Sequence, residues 1–333
     1  MKRICIIYTG GTIGMERTEN GYEPGKEPFA DIMARISDFS SPELPDYDVI
    51  EFSPLLDSSD VTVSEWNKIG RTIYEKMDLY DGFVVLHGTD TMAYTASALS
   101  FILQNLPKPV VLTGSQIPLC EIRSDAKDNL ISSMLIAASG KVFEVCLYFA
   151  GKLLRGNRAI KMSADSLIAF DSPNYPRIAE AGIDIKYRDS VLMKKSDKPL
   201  VLKELDEEPV GVLKIFPGIQ IELFESIITE KLRGVVLEAF GAGNVPNYCG
   251  ALKNIIAKAH DNGAVVVACS QCPTGNVSIG TYAASGSLKG AVSGKNMTTE
   301  AAVAKLYYLF SCGYSVEKIK ELMEVDLCGE LDG

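Results

Sequence analysis

The sequence predicts an α/β protein of two domains: a larger N-terminal α/β domain with a mainly parallel sheet, and a smaller C-terminal doubly wound α/β domain. Three observations support this prediction. A chain of 333 residues is long for a single compact core. Short apolar, β-branched runs alternate with stretches of helical periodicity. The alternation stops in one polar segment and then resumes, which indicates a second domain.

The first domain is predicted to cover residues 1–187 and to begin with a buried strand at Ile4–Tyr8, which a glycine-rich turn follows. Strands and helices then alternate, as in parallel sheets that carry helices on both faces. In chain order the predicted elements are helix Ser64–Met77, strand Phe83–Leu86, helix Thr91–Gln104, strand Pro109–Leu112, helix Asp125–Ser139 and strand Val145–Phe149.

Residues 188–209 are rich in Lys, Asp, Glu and Pro and show little apolar periodicity. They are predicted to form a linker, with a strand or two packed on the first domain. The second domain, residues 210–333, resumes the α/β alternation. Its predicted elements are strand Val210–Ile215, helix Gln220–Thr229, strand Gly234–Leu237, helix Pro246–Asn262, strand Ala264–Ala268 and helix Thr299–Ser311.

Charge and composition exclude several classes of protein. The net charge of -10 argues against a nucleic-acid partner, because phosphate binding needs clustered Lys and Arg. No apolar run reaches the length of a membrane span. The short apolar run after Lys2 and Arg3 ends at Thr9, too early for a secretory signal peptide. A cytoplasmic protein that acts on a small molecule is therefore expected, without nucleic-acid or membrane partners.

The cysteines and histidines offer few ligands for a metal. The chain has eight cysteines, which are expected to be reduced because no export signal precedes them. Cys269 and Cys272 have CxxC spacing, but a second such pair is missing from the sequence and the histidines are only His87 and His260. We therefore expect no metal site and no other cofactor.

A glycine-rich turn at residues 8–14 contains the first candidate for chemistry, Thr12. The turn matches neither GxGxxG nor the GK[ST] ending of a phosphate loop. Two interpretations stay open. Thr12 is either a capping residue of a tight turn, or a hydroxyl presented to substrate at the sheet edge where open α/β sheets bind ligands.

Two further strands end in polar residues of the same kind. Residues 87–92, HGTDTM, place Thr89 and Asp90 after a buried strand, where they serve either as helix N-caps or as site residues. Thr113-Gly114-Ser115-Gln116 closes a third strand and is expected to shape the floor of a pocket. Two strand ends with threonine hydroxyls in one sheet favour a shared site.

Lys161, in the segment RGNRAIK at 155–161, has two interpretations. A lone lysine is usually a solvated surface residue. A threonine nucleophile, however, needs a base, and a desolvated lysine beside a carboxylate can supply one. With only two histidines in the chain, a histidine-dependent triad is poorly supported.

Taken together, these motifs resemble bacterial-type L-asparaginases, and most closely their cytoplasmic branch. The shared blocks occur in the same order and spacing: TGGTIG at 9–14, LLDSSD at 55–60, HGTDTM at 87–92, TGSQIP at 113–118, RGNRAIK at 155–161 and FGAGN at 240–244. The resemblance covers essentially the whole chain. It implies hydrolysis of the side-chain amide of L-asparagine by double displacement, and a homotetramer built as a dimer of dimers.

The resemblance also implies the catalytic residues. Thr12 matches the primary nucleophile, on a mobile loop, and Tyr22 matches the lid tyrosine that hydrogen-bonds it when the loop closes. Thr89, Asp90 and Lys161 match a second cluster, in which Lys161 takes a proton through Thr89. The order in which the two threonines act stays open.

Substrate binding follows from the same resemblance. Ser58, with the backbone of its neighbours Asp57 and Ser59, matches the site for the α-carboxylate, and Asp90 would hold the α-ammonium group. Ser59 stands where some secreted relatives have Gln. Gly11 is placed among the binding residues, beside backbone N–H groups that would meet the oxyanion. Asn244 would reach the site of a neighbouring subunit.

Two alternative functions compete with the asparaginase. An amidotransferase subunit would use the same threonine cluster to supply ammonia for tRNA amidation, but such relatives carry an additional N-terminal domain, whereas Thr12 lies almost at the start here. A binding protein without catalysis would not need Lys161 beside Asp90. Activation by asparagine at a separate site between subunits, which some cytoplasmic members show, stays open.

Overall fold

The structure is a computed structural model that describes residues 2–19, 21–220, 223, 231–246, 250–279, 288 and 290–332. The chain divides into two compact units, Met1–Lys203 and Glu204–Gly333, and each contains its own sheet. The architecture is the α/β fold that the sequence predicts. The finer limits of 1–187, 188–209 and 210–333 stay predictions. Within the described ranges, no helix is long and apolar enough to cross a membrane.

Among the described residues, the N-terminal unit contains one large sheet and three two-stranded sheets. Its strands are β1 (Arg3–Gly10), β2 (Met15–Thr18), β3 (Gly21–Pro24), β4 (Asp46–Leu56), β5 (Gly82–Leu86), β6 (Leu103–Gln104), β7 (Val110–Thr113), β8 (Val145–Phe149), β9 (Lys152–Arg155), β10 (Ile160–Lys161), β11 (Phe170–Asp171), β12 (Ala179–Ala181), β13 (Ile185–Tyr187) and β14 (Val201–Leu202). Its helices are α1 (Phe29–Ala34), α2 (Val63–Lys76), α3 (Met92–Ile102) and α4 (Ala126–Ala138).

The large sheet has eight strands in the order β13-β12-β9-β8-β7-β5-β1-β4. The strands β4, β1, β5, β7 and β8 run parallel, so their carboxyl ends meet at one edge. At the other side of the sheet β9, β12 and β13 are antiparallel. The strands β1, β5, β7 and β8 are almost wholly buried apolar runs, as expected of parallel strands that are covered on both faces, whereas the edge strand β4 is polar and partly exposed. One such face packs Ile4, Ile6, Val84, Leu86 and Val111 against residues of α4.

Local sequence explains where the helices begin and end. At the start of α2, Thr62 and Glu65 form a capping box, and Val63, Trp66, Ile69 and Ile73 provide its buried face. The predicted helix Thr91–Gln104 is wrong at its end: α3 stops at Ile102, and Leu103–Gln104 forms β6. That short strand pairs with β14, which lies in the segment expected to be a linker, so tertiary pairing overrides the helical periodicity there.

The C-terminal unit contains a second, parallel sheet in the order β15-β16-β17-β18. These strands span Val210–Lys214, Gly234–Ala239, Val265–Ser270 and Val292–Ser293, and the helices are α5 (Ala251–Asp261), α6 (Thr299–Ser311) and α7 (Val316–Met323). Helix α5 covers one face of the sheet, whereas α6 and α7 cover the other. Helices on both faces are the arrangement expected of a doubly wound domain.

Two predicted helices of this unit do not match an observed helix over their full length. The predicted helix Gln220–Thr229 falls almost wholly outside the described residues. The predicted helix Pro246–Asn262 corresponds to α5 at Ala251–Asp261; its first residue, Pro246, is not helical, and residues 247–249 lie outside the described residues. Gly250, just before α5, has φ 64°, a left-handed conformation that ends regular helical geometry and suits glycine.

A buried ion pair fastens the end of the chain to α6. Lys305 Nζ lies 2.6 Å from Glu330 Oε1, and both side chains are fully buried. Lys305 also donates to the carbonyl oxygens of Met323 and Val325, while Glu330 accepts from the Cys328 N–H. Burial by itself raises the pKa of Glu330, but the Lys305 charge and these hydrogen bonds lower it below the ordinary 4.5.

Replacing Lys305 with methionine is expected to lower the unfolding free energy of the C-terminal unit by about 3–5 kcal/mol, because it leaves the buried Glu330 carboxylate without an opposite charge. Urea unfolding followed by far-UV circular dichroism measures this loss. The double variant Lys305→Met/Glu330→Gln removes both charges and should recover part of the stability. A double variant no more stable than Lys305→Met would contradict the argument.

Candidate active site

The carboxyl ends of β1, β4 and β5 meet at a point where two glycines touch. Gly11 (φ 89°) lies so close to Gly88 that a Cβ on Gly11 would sit 2.5 Å from the Gly88 nitrogen. A Cβ on Gly88 would overlap the hydroxyl of Ser58, which follows β4. Side chains larger than hydrogen are therefore excluded at both positions. The contact brings Gly11 and Ser58, both predicted to bind substrate, next to the HGTDTM segment.

Each touching glycine is followed directly by a candidate threonine. Thr12 opens a short 3-10 turn, Thr12–Gly14, and is half-buried. Thr89 is buried and precedes α3. Since β1 and β5 are neighbours in the sheet, the two hydroxyls are presented at the same edge. The structure thus brings together the two threonines that the motifs single out.

Lys161 joins this edge from β10, which pairs with β11. Its Nζ lies 2.9 Å from Thr89 Oγ1 and 2.7 Å from Asp90 Oδ1. The lysine side chain is 20% exposed, whereas that of Asp90 is 67% exposed. The Lys161 Nζ is therefore held between a buried hydroxyl and a carboxylate that is open to a ligand. These three residues form the cluster that the resemblance implies.

Gln116 is a fourth member, which the sequence analysis placed only in a turn expected to shape the floor of the pocket. Thr89 Oγ1 donates to Gln116 Oε1 at 3.1 Å, and Gln116 Nε2 donates to the carbonyl oxygens of Ala164 (3.4 Å) and Ser166 (3.2 Å). The carbonyl partners fix which end of the amide faces Thr89. The TGSQIP motif marks the position, but no sequence pattern indicates a contact between residues 27 positions apart.

Polar side chains of α4 hold the turn that carries Gln116. The Asp125 carboxylate accepts the backbone N–H groups of Gln116 (3.1 Å) and Ile117 (3.0 Å). Asn129 Nδ2 donates to the Gly114 carbonyl oxygen at 3.0 Å. The start of α4 thus holds the backbone on either side of Gln116 in place, which orients its side chain toward Thr89.

Asp57, Ser58 and Ser59 have different surroundings. Asp57 Oδ1 accepts both the N–H and the hydroxyl of Ser59 at 2.9 Å, and these hydrogen bonds lower the pKa of Asp57 below 3.8. Both of these side chains are exposed. Ser58 is buried beside Gly88, and its carbonyl oxygen accepts from the Thr91 hydroxyl at 2.6 Å. Of the three, Ser58 is therefore the residue tied most closely to the threonine edge.

Two further predicted site residues are Tyr22 and Asn244. Tyr22 lies on the exposed β2–β3 hairpin and donates to Glu121 Oε1 at 3.0 Å, a hydrogen bond that raises the Tyr22 pKa above 10. Asn244 belongs to the C-terminal unit, where its backbone pairs with Phe240. Its side-chain oxygen is buried and has no hydrogen-bond partner among the described residues. A role of Asn244 in a neighbouring subunit stays a prediction.

A buried chain of polar groups lies behind the touching glycines. The Trp66 indole donates to the Thr95 hydroxyl at 3.0 Å, and that hydroxyl lies 3.0 Å from His87 Nε2. His87 Nδ1 faces the Gly88 carbonyl oxygen at 2.8 Å. Because a carbonyl only accepts, Nδ1 carries the proton and Nε2 accepts from Thr95. Burial lowers the pKa of His87 below 6.5, so the ring is neutral.

Acidification below pH 6.5 is expected to destabilise the N-terminal unit. The unfolded chain protonates His87 near its ordinary pKa, while the folded protein resists protonation until a lower pH. The unfolding free energy therefore falls as pH falls, by up to about 1.4 kcal/mol per pH unit. Urea unfolding at several pH values, followed by fluorescence of the single tryptophan, Trp66, measures the slope. An equal slope in the His87→Gln variant would contradict this assignment.

Comparisons with known proteins agree in covering nearly the whole chain. The family model "Asparaginase, N-terminal" matches residues 3–193, and "Glutaminase/Asparaginase C-terminal domain" matches residues 209–323. L-asparaginase 1 of Escherichia coli K12 is 43% identical over 332 residues, covering 99% of this chain and 98% of that protein. The crystal structure of L-asparaginase I from Vibrio cholerae has a TM-score of 0.91 at 42% identity, and the match covers 99% of both chains.

The chain is also similar in sequence to a protein that is not named an asparaginase. That protein is a component of the glutamyl-tRNA(Gln) amidotransferase of Methanobrevibacter smithii, and it is 33% identical over 350 residues. The match covers 99% of this chain but 77% of that protein, which therefore has a further part that this chain does not match.

Proposed function

Since this chain belongs to the asparaginase family of amidohydrolases, we propose that it hydrolyses the side-chain amide of L-asparagine to L-aspartate and ammonia. The observation that carries this proposal is the pair of threonines at one sheet edge, with Lys161 and Asp90 beside Thr89. Such a cluster provides a hydroxyl nucleophile, a base and a carboxylate within one site.

The proposed reaction proceeds by double displacement with Thr12 as the nucleophile. The Thr12 oxygen attacks the amide carbon and its proton passes to the base. The tetrahedral intermediate then expels ammonia, with a proton supplied to the leaving nitrogen. Water attacks the resulting ester, which releases aspartate and restores the hydroxyl. Backbone N–H groups beside Gly11 and Gly88 would stabilise the oxyanion, each contributing about 3 kcal/mol.

Lys161 is proposed as the base that acts through Thr89. Its contact of 2.9 Å with Thr89 Oγ1 is a direct path for a proton, and Asp90 at 2.7 Å orients the amine. In this structure Thr89 donates its one proton to Gln116 and accepts from Lys161, so the proposed relay requires the Thr89 hydroxyl to rotate away from Gln116 and toward a neutral Lys161. Whether the relay serves the attack by Thr12 or the attack by water is decided by kinetics of the separate steps.

The same residues account for substrate binding. Asparagine carries an α-ammonium and an α-carboxylate, so its site needs one carboxylate and several donors. Asp90 is exposed enough to accept the ammonium group, and Ser58 with the backbone of Asp57 and Ser59 would donate to the carboxylate. Gly11 would let the main chain approach the amide closely.

Assembly and location complete the proposal. We propose a cytoplasmic homotetramer, built as a dimer of dimers, in which Asn244 approaches the site of a neighbouring subunit. Analytical ultracentrifugation of the purified protein tests the assembly, and a monomer would contradict it.

Ammonia release from free L-asparagine and, separately, from L-glutamine is the test of the activity. Rapid turnover of asparagine by the purified protein supports the proposal, and the ratio of the two rates defines its selectivity. If a folded protein releases ammonia only when a charged tRNA acceptor is supplied, it is an amidotransferase component. If it binds asparagine without turnover, it is a binding protein. Either result would overturn the asparaginase assignment.

A further inference from the structure

The contacts of Tyr22 point to a role for Glu121, a residue outside the catalytic cluster. We propose that Glu121 is a positioning residue: it holds Tyr22 and the β2–β3 hairpin away from Thr12 until substrate binds. This inference rests on the proposed function, because a movement of Tyr22 toward Thr12 matters for catalysis only if Thr12 is the nucleophile. The hydrogen bond itself is a property of the ligand-free protein and can be tested without turnover.

Residues 119–121 form a dock for the segment that joins β1 to the hairpin. The Leu119 N–H donates to the Ile13 carbonyl oxygen at 3.0 Å, directly after Thr12. Cys120 Sγ lies 3.5 Å from the Met15 carbonyl oxygen at the start of β2. Glu121 adds the contact with Tyr22. Residues 119–121 therefore contact, in order, Ile13, Met15 and Tyr22 of the segment 12–25, which is the candidate lid.

The base of the hairpin is fixed, whereas its strands are exposed. Gly25 N–H donates to the Gly14 carbonyl oxygen at 3.1 Å, and Gly14 packs so tightly on Tyr8 that a Cβ would overlap the Tyr8 hydroxyl. Beyond this base the residues of β3 are all exposed, and Tyr22 is 47% exposed. With so little buried area to hold it, the hairpin depends strongly on single polar contacts.

Tyr22 cannot serve both partners at once. A phenol has one proton to donate, and in this structure it goes to the Glu121 carboxylate. Hydrogen-bonding Thr12 from the same proton requires that the contact with Glu121 be broken. Donation to Thr12 and donation to Glu121 therefore compete for one proton, and Glu121 stabilises only the states in which Tyr22 does not donate to the nucleophile.

Removing such a contact shifts the population toward the other states. We expect Glu121→Ala to tighten binding of L-aspartate, the proposed product, by about 3- to 10-fold, the range for one hydrogen bond to an ionised group at a partly exposed site. Amide hydrogen exchange of a peptide covering residues 15–24 should become faster by a similar factor in the ligand-free protein, since the hairpin loses its anchor.

Isothermal titration with L-aspartate and hydrogen exchange by mass spectrometry measure the two effects. Glu121→Gln keeps an acceptor oxygen without the charge and should give a smaller change in both. Glu23→Ala is the matched control: it removes one negative charge from an exposed residue next to Tyr22. If Glu23→Ala alters aspartate affinity as much as Glu121→Ala does, the effect is general electrostatics and the proposal is overturned.

A double-mutant cycle isolates the contact itself. In the Tyr22→Phe background no phenol remains to hold, so Glu121→Ala should change neither aspartate affinity nor hairpin exchange. Full effects of Glu121→Ala in that background would overturn the positioning role. The exchange measurement needs no ligand, so unchanged hairpin exchange in Glu121→Ala overturns this inference alone, whereas failure to turn over asparagine counts only against the proposed function.

Discussion

Replacing Thr12 with valine is expected to lower kcat for asparagine hydrolysis by a factor on the order of 10⁴ or more. Valine has the shape of threonine but no hydroxyl, so the proposed ester with the substrate cannot form. The remaining groups of the site, Thr89, Lys161 and Asp90, stay in place and account for any residual rate. Ammonia release under substrate saturation measures the loss.

Thr12→Ser is the matched control for this experiment, because it keeps a hydroxyl at the same backbone position and loses only the methyl group, so it should retain measurable turnover. Titration of Thr12→Val with L-aspartate shows whether the pocket is intact. If Thr12→Val binds aspartate and still turns over asparagine within tenfold of the wild type, Thr12 is not the nucleophile. The assignment would then pass to Thr89.

The second large effect is expected at Lys161. Lys161→Met keeps the aliphatic stem but removes the amine that contacts Thr89 and Asp90, and kcat should fall by about 10²- to 10⁴-fold, the usual contribution of a general base. Asp90 is 67% exposed and stays solvated when its partner is lost, so folding should be affected little. KM should change much less than kcat, because the substrate contacts of Ser58 are untouched.

Lys152→Met is the matched control for Lys161→Met. Lys152 lies on β9 and forms an ion pair of the same length, 2.7 Å, with Asp171. The same substitution there removes a partly buried lysine from an ion pair without touching the threonine edge. A loss of kcat in Lys152→Met equal to that in Lys161→Met would mean that the effect of Lys161 is structural and not that of a base.

Much of the fold is predictable from local sequence. The strands β1, β5 and β8 are continuous apolar runs, which a doubly covered parallel strand requires, and α2 carries a capping box and one apolar face. The β2–β3 hairpin escaped prediction because its residues are exposed and have no apolar alternation. The predicted end of α3 was wrong because Leu103 and Gln104 form a strand that pairs with residues almost a hundred positions later.

The candidate site divides in the same way. Thr12, Thr89, Asp90 and Lys161 are visible because each closes a strand or a short motif. The contacts of Gln116 and Glu121 are not predictable, since an amide and a carboxylate on turns have no spacing in the sequence that indicates their partners. Their contacts with Thr89 and Tyr22 depend on how strands distant in sequence lie side by side, which only the tertiary structure determines.

The contact between Gly11 and Gly88 separates the site into a stiff part and a soft part. Main chain packed against main chain fluctuates on the picosecond to nanosecond scale about a single arrangement, so the spacing of the two threonines is built in by strand pairing and does not wait for a ligand. For the exposed hairpin with Tyr22 we expect motion on the slower scale of loop closure. Laboratory evolution of this enzyme should accordingly find adaptive substitutions in the hairpin and its dock, and almost none at the two glycines.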